Sequence, residues 1–313
     1  MDSHPLVVGC VADQPPYLLE QAWRLLLSWR KNAGRWRDVP FLLGVAGGVP
    51  EDFARRVAPF GAILVSVEQL TPRHPPSNKL QWFAPASRIK AERYVLLDCD
   101  TWVCKQPDGL LGAEPLRAKL ADIATVTDVI FEKVFVAAGI PKPPTEHTLS
   151  IRGEASITYL NAGVLSLSAS ALQHLLPRWR HWNHWLDTRP ELLADCFPFL
   201  EQASLSLTIA ELGLPVGLLD DSLNFPGHFK DPVPPALTAI EPRILHYHKE
   251  TDENGRFLDS PLPLVQKHIV HANASLFAAW RELAFDLSQE RAVARDGLRK
   301  LLSQLRRRWL QSS

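Results

Sequence analysis

Apolar residues arrive in short runs separated by amphipathic stretches over the first hundred positions. Leu6 to Val11 is an unbroken apolar run, the pattern of a strand covered on both faces. Asp13, Pro15 and Pro16 end it. Leu18, Ala22, Leu25, Leu26 and Trp29 then recur at helical spacing as far as Gly34. Phe41 to Val45 predicts a second strand, Glu51 to Ala58 a helix, and Ala62 to Val67 a third strand. Strand–helix–strand units in this order predict an α/β protein with a Rossmann-like sheet, whose ligands sit beyond the carboxyl ends of the strands.

Further along, Asn78 to Arg93 predicts a helix, and Tyr94 to Leu97 a strand running into Asp98 and Asp100. The pattern weakens from Val129 to Ile157, where Pro141, Pro143 and Pro144 mark a long loop. The stretch from Asp128 to Arg152 is a candidate acceptor loop or lid. Tyr159 to Leu167 reads as strand, Ala171 to Leu186 and Glu201 to Leu212 as helices, and Arg243 to His248 as a short strand. Trp179, Trp182 and Trp185 recur every third residue, the pattern of a carbohydrate or lipid platform or, more simply, of an amphipathic helix packing its tryptophans inward.

Residues 1–250 therefore read as one catalytic domain, and 251–313 as a C-terminal helical extension. From Arg291 to Ser313 the chain has seven basic residues and one acid, with Leu298, Leu301, Leu302, Leu305 and Trp309 on one face. Such a basic amphipathic helix either lies peripherally on anionic lipid or packs on the domain.

Composition narrows the function. Apolar residues make up 46% and charged residues 22%, which is globular composition. Thirty-four basic and 34 acidic side chains cancel, so the chain lacks the basic field that nucleic-acid binding requires. Cys10, Cys99, Cys104 and Cys196 form no disulfide framework or zinc spacing, which points to a reducing cytoplasm. The first residues carry no basic leader, and no run approaches the roughly 18 apolar residues of a membrane span.

The chemistry gathers at Asp98-Cys99-Asp100, at the end of an apolar strand. On extended chain the two carboxylates project to one side and Cys99 to the other. Taken alone, such a triplet is most simply a solvated acidic turn. Paired carboxylates in a crevice repel unless a cation lies between them, and a divalent ion there can also neutralise a pyrophosphate. His246 and His248 share a face of the Arg243–His248 segment. One imidazole added to two carboxylates makes a mixed oxygen–nitrogen set that favours Mn2+, with Mg2+ also accommodated. In the Tyr159–Leu167 strand, Asn161 offers a donor and an acceptor for sugar hydroxyls, and Ala162 and Gly163 leave room for a ligand against the backbone.

The ordered set of Asp98-Cys-Asp100, Asn161-Ala-Gly163-Val-Leu, Glu201-Gln202 and Ile244-Leu-His246-Tyr resembles the retaining glycosyltransferases of family eight. That family includes glycogenin and the bacterial lipopolysaccharide galactosyl- and glucosyltransferases, and has the GT-A fold. The match runs over roughly residues 6 to 250. The resemblance implies a metal-dependent hexosyltransferase that moves a sugar from a nucleotide-diphosphate sugar, UDP-linked, to a glycan, lipid-linked or protein acceptor. It implies Mn2+ on Asp98, Asp100 and His246. It implies donor contacts at Ala12, Asp13, Cys99 and Gly163, stacking by Tyr17, and a basic contact from Lys79 or Arg88. Asn161, Glu201 and Gln202 fall at the donor sugar and the reaction centre.

Two departures stand out. The family has glycine three residues after its metal histidine and then Lys-Pro-Trp, where this chain has His248-Lys249-Glu-Thr, so Lys249 either reaches phosphate from a different position or does not reach it. Glu201 replaces the aspartate common before the glutamine. Two other classes compete: a haloacid-dehalogenase-type phosphohydrolase, which would use Asp98 as nucleophile on a first strand, and a catalytically silent GT-A binding protein.

Overall fold

The computed structural model describes residues 3–229 and 232–282. Strand β1 (His4–Ala12) leads into helix α1 (Pro16–Asn32), β2 (Phe41–Ala46), α2 (Glu51–Val57) and β3 (Ile63–Val67). A 3-10 stretch over Pro75–Trp82 and the single turn α3 (Phe83–Ala86) precede β4 (Ala91–Leu97). There follow β5 (Thr101–Val103), β6 (Leu116–Leu120), α4 (Asp128–Ala138), the hairpin β7 (His147–Thr148) and β8 (Ala155–Ser156), and β9 (Leu160–Ser168). Helices α5 (Ala169–Asp187) and α6 (Leu200–Leu212), strands β10 (Val216–Leu218), β11 (Phe225–Pro226) and β12 (Ile244–His246), and helix α7 over 263–282 complete the described chain.

Seven strands form one mixed sheet in the order β10-β6-β9-β4-β1-β2-β3. Strand β9 alone runs against its neighbours, antiparallel to both β4 and β6. Alternation along the parallel strands separates two cores. Leu6, Val8 and Cys10 of β1 and Val95 and Leu97 of β4 join the α1 face, where Trp23, Leu26 and Trp29 pack. Val7, Tyr94 and Leu96 point to the opposite face, against Leu172, Leu175 and Trp179 of α5. Strand β1 pairs with β2 on one side and β4 on the other, so chain connections diverge there and leave a crevice beyond the ends of β1 and β4.

A second, three-stranded sheet (β11-β12-β5) stands at that end of the molecule. Helix α7 closes the α1 core with Val265, Ile269, Ala272 and Leu276, and Trp280 stacks on Trp23 at 6.4 Å. Among the described residues no helix is long and apolar enough to cross a membrane. The basic segment Arg291–Ser313 lies outside the described residues.

Three sequence expectations need correction. The predicted helix over Asn78–Arg93 is short because Pro85 falls within it and because β4 recruits Arg93, whose Cα pairs with Leu6 and Ser168. The weakly patterned segment after Val129 contains a true helix, α4. Its buried face is only Phe131, Val134 and Phe135, and the exposed Val129 and Val136 blur the period. Strand β6 went unpredicted because Arg117 and Lys119 look like solvent-facing residues, although Lys119 is 2% exposed. The tryptophans do turn inward: Trp179 and Trp182 are buried and Trp185 is half-buried.

Candidate active site

A cavity of about 880 Å³ occupies the crevice. Its wall carries Asp13, Tyr17, Lys79, Asp98, Cys99, Asp100, Asn161, Glu201, Gln202, His246 and Lys249, all from the sequence-predicted set. Ala12 is buried behind the wall at the end of β1. Arg88 is exposed and apart from the cavity, which leaves Lys79 as the basic residue of that pair. Gly163 is not on the wall either. The space a Cβ would take there is occupied by His246, whose Cε1 would lie 2.6 Å away, so this glycine admits an imidazole rather than a ligand.

The two aspartates do not lie on extended chain. Strand β4 stops at Leu97, and Asp98 opens a turn in which its carbonyl accepts from the Thr101 amide (3.2 Å) and hydroxyl (2.7 Å). The carboxylates consequently take different partners. Asp98 Oδ1 lies 2.6 Å from Lys79 Nζ. Asp100 meets the histidines: Oδ1 is 3.1 Å from His246 Nε2 and Oδ2 is 3.8 Å from His248 Nδ1.

Pairing of β12 with β5 makes the second contact. His246 is in register with Thr101, and the Tyr247 amide donates to the Asp100 carbonyl at 3.0 Å. The two imidazoles then stack at 4.0 Å and 19°. On its other nitrogen, Nδ1, His246 meets Asn224 Oδ1 at 3.1 Å. One ligand atom from each of Asp100, His246 and His248 lies within 4.8 Å of the others. A carboxylate and two imidazoles suit a divalent cation of intermediate softness, so the donor set fits such an ion. Asp98 stands outside this group, held by Lys79.

Electrostatics follow from burial and pairing. Burial pushes the Asp100 carboxyl up, but His246 and then His248 prevail and hold it at about 2. Burial would lower His246, yet Asp100 raises it. His248 falls to about 3, first through burial and then through repulsion from His246. Lys79 is driven up: burial opposes its charge, and Asp98 and Glu201 more than restore it.

Glu201 opens α6 and is buried. Its Oε1 is 3.7 Å from Lys79 Nζ and its Oε2 is 3.4 Å from His74 Nε2. Gln202, next along, is half-buried on the wall. Asn161 is engaged locally: Oδ1 accepts from the Gly163 amide (2.9 Å), and Nδ2 donates to Asp122 Oδ2 (3.3 Å). Asp13 accepts from Asn78 Nδ2 at 2.7 Å, and burial raises its carboxyl despite that bond. Tyr17, 61% exposed, stands at the start of α1 with its ring free for a planar ligand.

Sequence reasoning missed Asp122, Asn78, Asn224 and His228. Asp122 follows β6, beyond the end of an unpredicted strand, and its partner Lys119 is buried with it. Asn224 and His228 come from a Pro-rich connection without periodicity, so only the folded chain brings them to His246 and His248.

Comparison with known proteins agrees with this architecture. The structure is similar to the galactosyltransferase LgtC, solved in complex with donor and acceptor sugar analogues: 16% identity, 86% of this chain and 95% of that one, TM-score 0.55. It is also similar to the glycosyltransferase GlyE of Streptococcus pneumoniae TIGR4, at 15% identity over 84% of this chain and 60% of that one, TM-score 0.51. At these identities the likeness concerns the fold, which is GT-A. No curated protein matches in sequence. The model of the Rhodobacterales glycosyltransferase domain matches residues 10–213, well over half of the chain. With that match on a GT-A sheet, the chain belongs to the Rhodobacterales glycosyltransferase domain family and is a glycosyltransferase.

Proposed function

We propose that the chain moves a hexose from a nucleotide-diphosphate sugar, UDP-linked, to a glycan, lipid-linked or protein acceptor, with a divalent cation and with retention of anomeric configuration. The observation that carries the reading is the convergence of Asp100, His246 and His248 with Lys79 in one cavity beyond β1 and β4. Opposed charges are gathered where a parallel sheet takes a nucleotide, and an idle surface has no need of them.

Asp13 and Asn78 would take the base edge, Tyr17 would stack on it, and the end of β1 at Ala12 would receive the ribose. A cation held by Asp100 and His246 would act as a Lewis acid toward the departing diphosphate. The resemblance also gives Asp98 to that ion, which requires its pairing with Lys79 to open. Lys79, freed in that way, and Lys249 at the mouth would hold phosphate charge as point donors. Asn161 and Glu201 would bind hydroxyls of the donor sugar. Gln202 would face the reacting carbon. As the wall carries no carboxylate assigned as nucleophile, departure and attack would share one face. Free Cys10, Cys99, Cys104 and Cys196 suit the reducing cytoplasm.

A thermal-shift screen of UDP-sugars with and without Mn2+ tests this. The donor raises the melting temperature when metal is present, by mass action on the folded state. Asp100→Ala removes the shift. No shift with any nucleotide sugar overturns the donor class, and an inverted anomeric proton signal in the product overturns retention.

A further inference from the structure

The residue after Tyr247 is unusual in its backbone. His248 has φ 51°, in the left-handed region that side-chain-bearing residues rarely adopt, and within the described residues it shares a positive φ without being glycine only with Ala194. Such conformations persist where surrounding contacts fix them, and they gather at functional sites. Here the surroundings are specific. Gln21 Nε2 donates to the His248 carbonyl at 3.2 Å, and the His228 ring stands edge-on to the His248 ring at 4.3 Å. The outcome is a second imidazole stacked beside His246, facing the same carboxylate.

Each oxygen of Asp100 therefore faces one ring nitrogen, His246 Nε2 on Oδ1 and His248 Nδ1 on Oδ2. Asn224, fully buried, fixes His246 from behind by accepting at Nδ1, which leaves Nε2 for the shared site. Asp98 is engaged by Lys79 and is absent from the group of mutually close ligand atoms. We propose that His248 is a cation ligand together with Asp100 and His246, giving a two-imidazole, one-carboxylate site that favours nitrogen-preferring divalent ions such as Co2+ over Mg2+. The proposal rests on the reading that this cavity takes a cation, and it differs from that reading in the ligands and in the ion they select. Each added imidazole strengthens binding of later transition ions far more than of Mg2+, which prefers oxygen.

The test uses the full chain, freed of metal and titrated with Co2+, Mg2+ and Mn2+. His248→Asn removes the ring and suits the positive φ, because asparagine tolerates the left-handed region. Calorimetry should show Co2+ affinity falling roughly tenfold or more in His248→Asn while Mg2+ affinity stays within about threefold. Nitrogen couplings to bound Mn2+, read by pulsed electron paramagnetic resonance, should fall from two imidazoles to one. Asp98→Asn should leave both nitrogens in place. One coupled nitrogen in the parent chain, or a Co2+ affinity unchanged in His248→Asn, overturns His248 as a ligand and leaves the cation reading standing. If no ion binds the parent chain, the cation reading fails, and this proposal with it.

Discussion

A Cβ added at Gly163 would lie 2.6 Å from Cε1 and 2.7 Å from Nδ1 of His246. The glycine of the central antiparallel strand is thus the seat of an imidazole that arrives from β12. The ring cannot retreat freely, since Nδ1 is bonded to Asn224 and Nε2 faces Asp100. Gly163→Ala should therefore displace His246 and lower stability by about 1–3 kcal/mol, the usual cost of overpacking a tight core. Denaturant unfolding of the metal-free chain reads that cost. Calorimetry should show cation affinity falling in the same variant, whereas a merely local packing defect would leave it intact.

Lys79 is the counter-charge for two carboxylates, at 2.6 Å from Asp98 and 3.7 Å from Glu201. Removing one partner of a buried ion pair leaves uncompensated charge and costs on the order of 3–5 kcal/mol. Because Asp98 retains some exposure, Lys79→Met should fall at the lower end of that range. Lys79→Arg keeps the charge and should cost less. Thermal melts of the two variants without ligand check the order, and the donor-induced shift should vanish in Lys79→Met.

Much of this site was legible in the sequence because its residues sit at strand ends that local pattern identifies. Asp13 follows β1, Asp98 follows β4, and Asn161 stands inside β9, each beside an apolar run. What local pattern could not show was the direction of each side chain. Alternation along extended chain would align Asp98 with Asp100, but the Asp98–Thr101 turn gives them different partners, Lys79 for Asp98 and His246 for Asp100. Strand β6 stayed hidden for a related reason. Lys119 is charged and almost fully enclosed, and its partners Asp122, Asp221 and the Asn224 carbonyl, 3, 102 and 105 positions away in the chain, make that burial tolerable.

The junction between the three-stranded sheet and α7 should respond to acid. Glu241 lies 2.5 Å from Lys105, 2.6 Å from Lys267 and 3.1 Å from His268, the last two on α7. Hydrogen bonds from Lys105 and Lys267 hold its carboxyl at about 2, against an ordinary 4.5. As pH falls below 4.5 the unfolded chain takes up this proton first, so the stabilisation present above that value fades toward pH 2. His268 runs the other way in charge but not in sense: burial lowers it, so the folded state loses ground to a protonated unfolded chain below pH 6.5. Glu241→Gln should flatten the melting temperature between pH 4.5 and 3, measured by calorimetry. A slope equal to that of the parent chain would place the acid sensitivity elsewhere.

Lys119 offers the sharpest test of how the cavity floor is built. Its ammonium is paired with Asp122, lies 3.2 Å from Asp221 and donates to the Asn224 carbonyl at 3.2 Å. It therefore joins β6, which leads into the cavity-lining Asp122, to the segment that carries Asn224. Lys119→Met strands Asp122 without its cation in a buried position and should cost on the order of 3–5 kcal/mol. The charge asymmetry predicts that Asp122→Asn added to Lys119→Met restores part of this loss, because the second change removes the orphaned charge that the first creates. Unfolding free energies of the two single variants and the double variant close that cycle. If the double variant is as unstable as the sum of its parts, Lys119 acts through Asp221 and Asn224 instead, and the cavity floor depends on the tether to Asn224 rather than on the charge of Asp122.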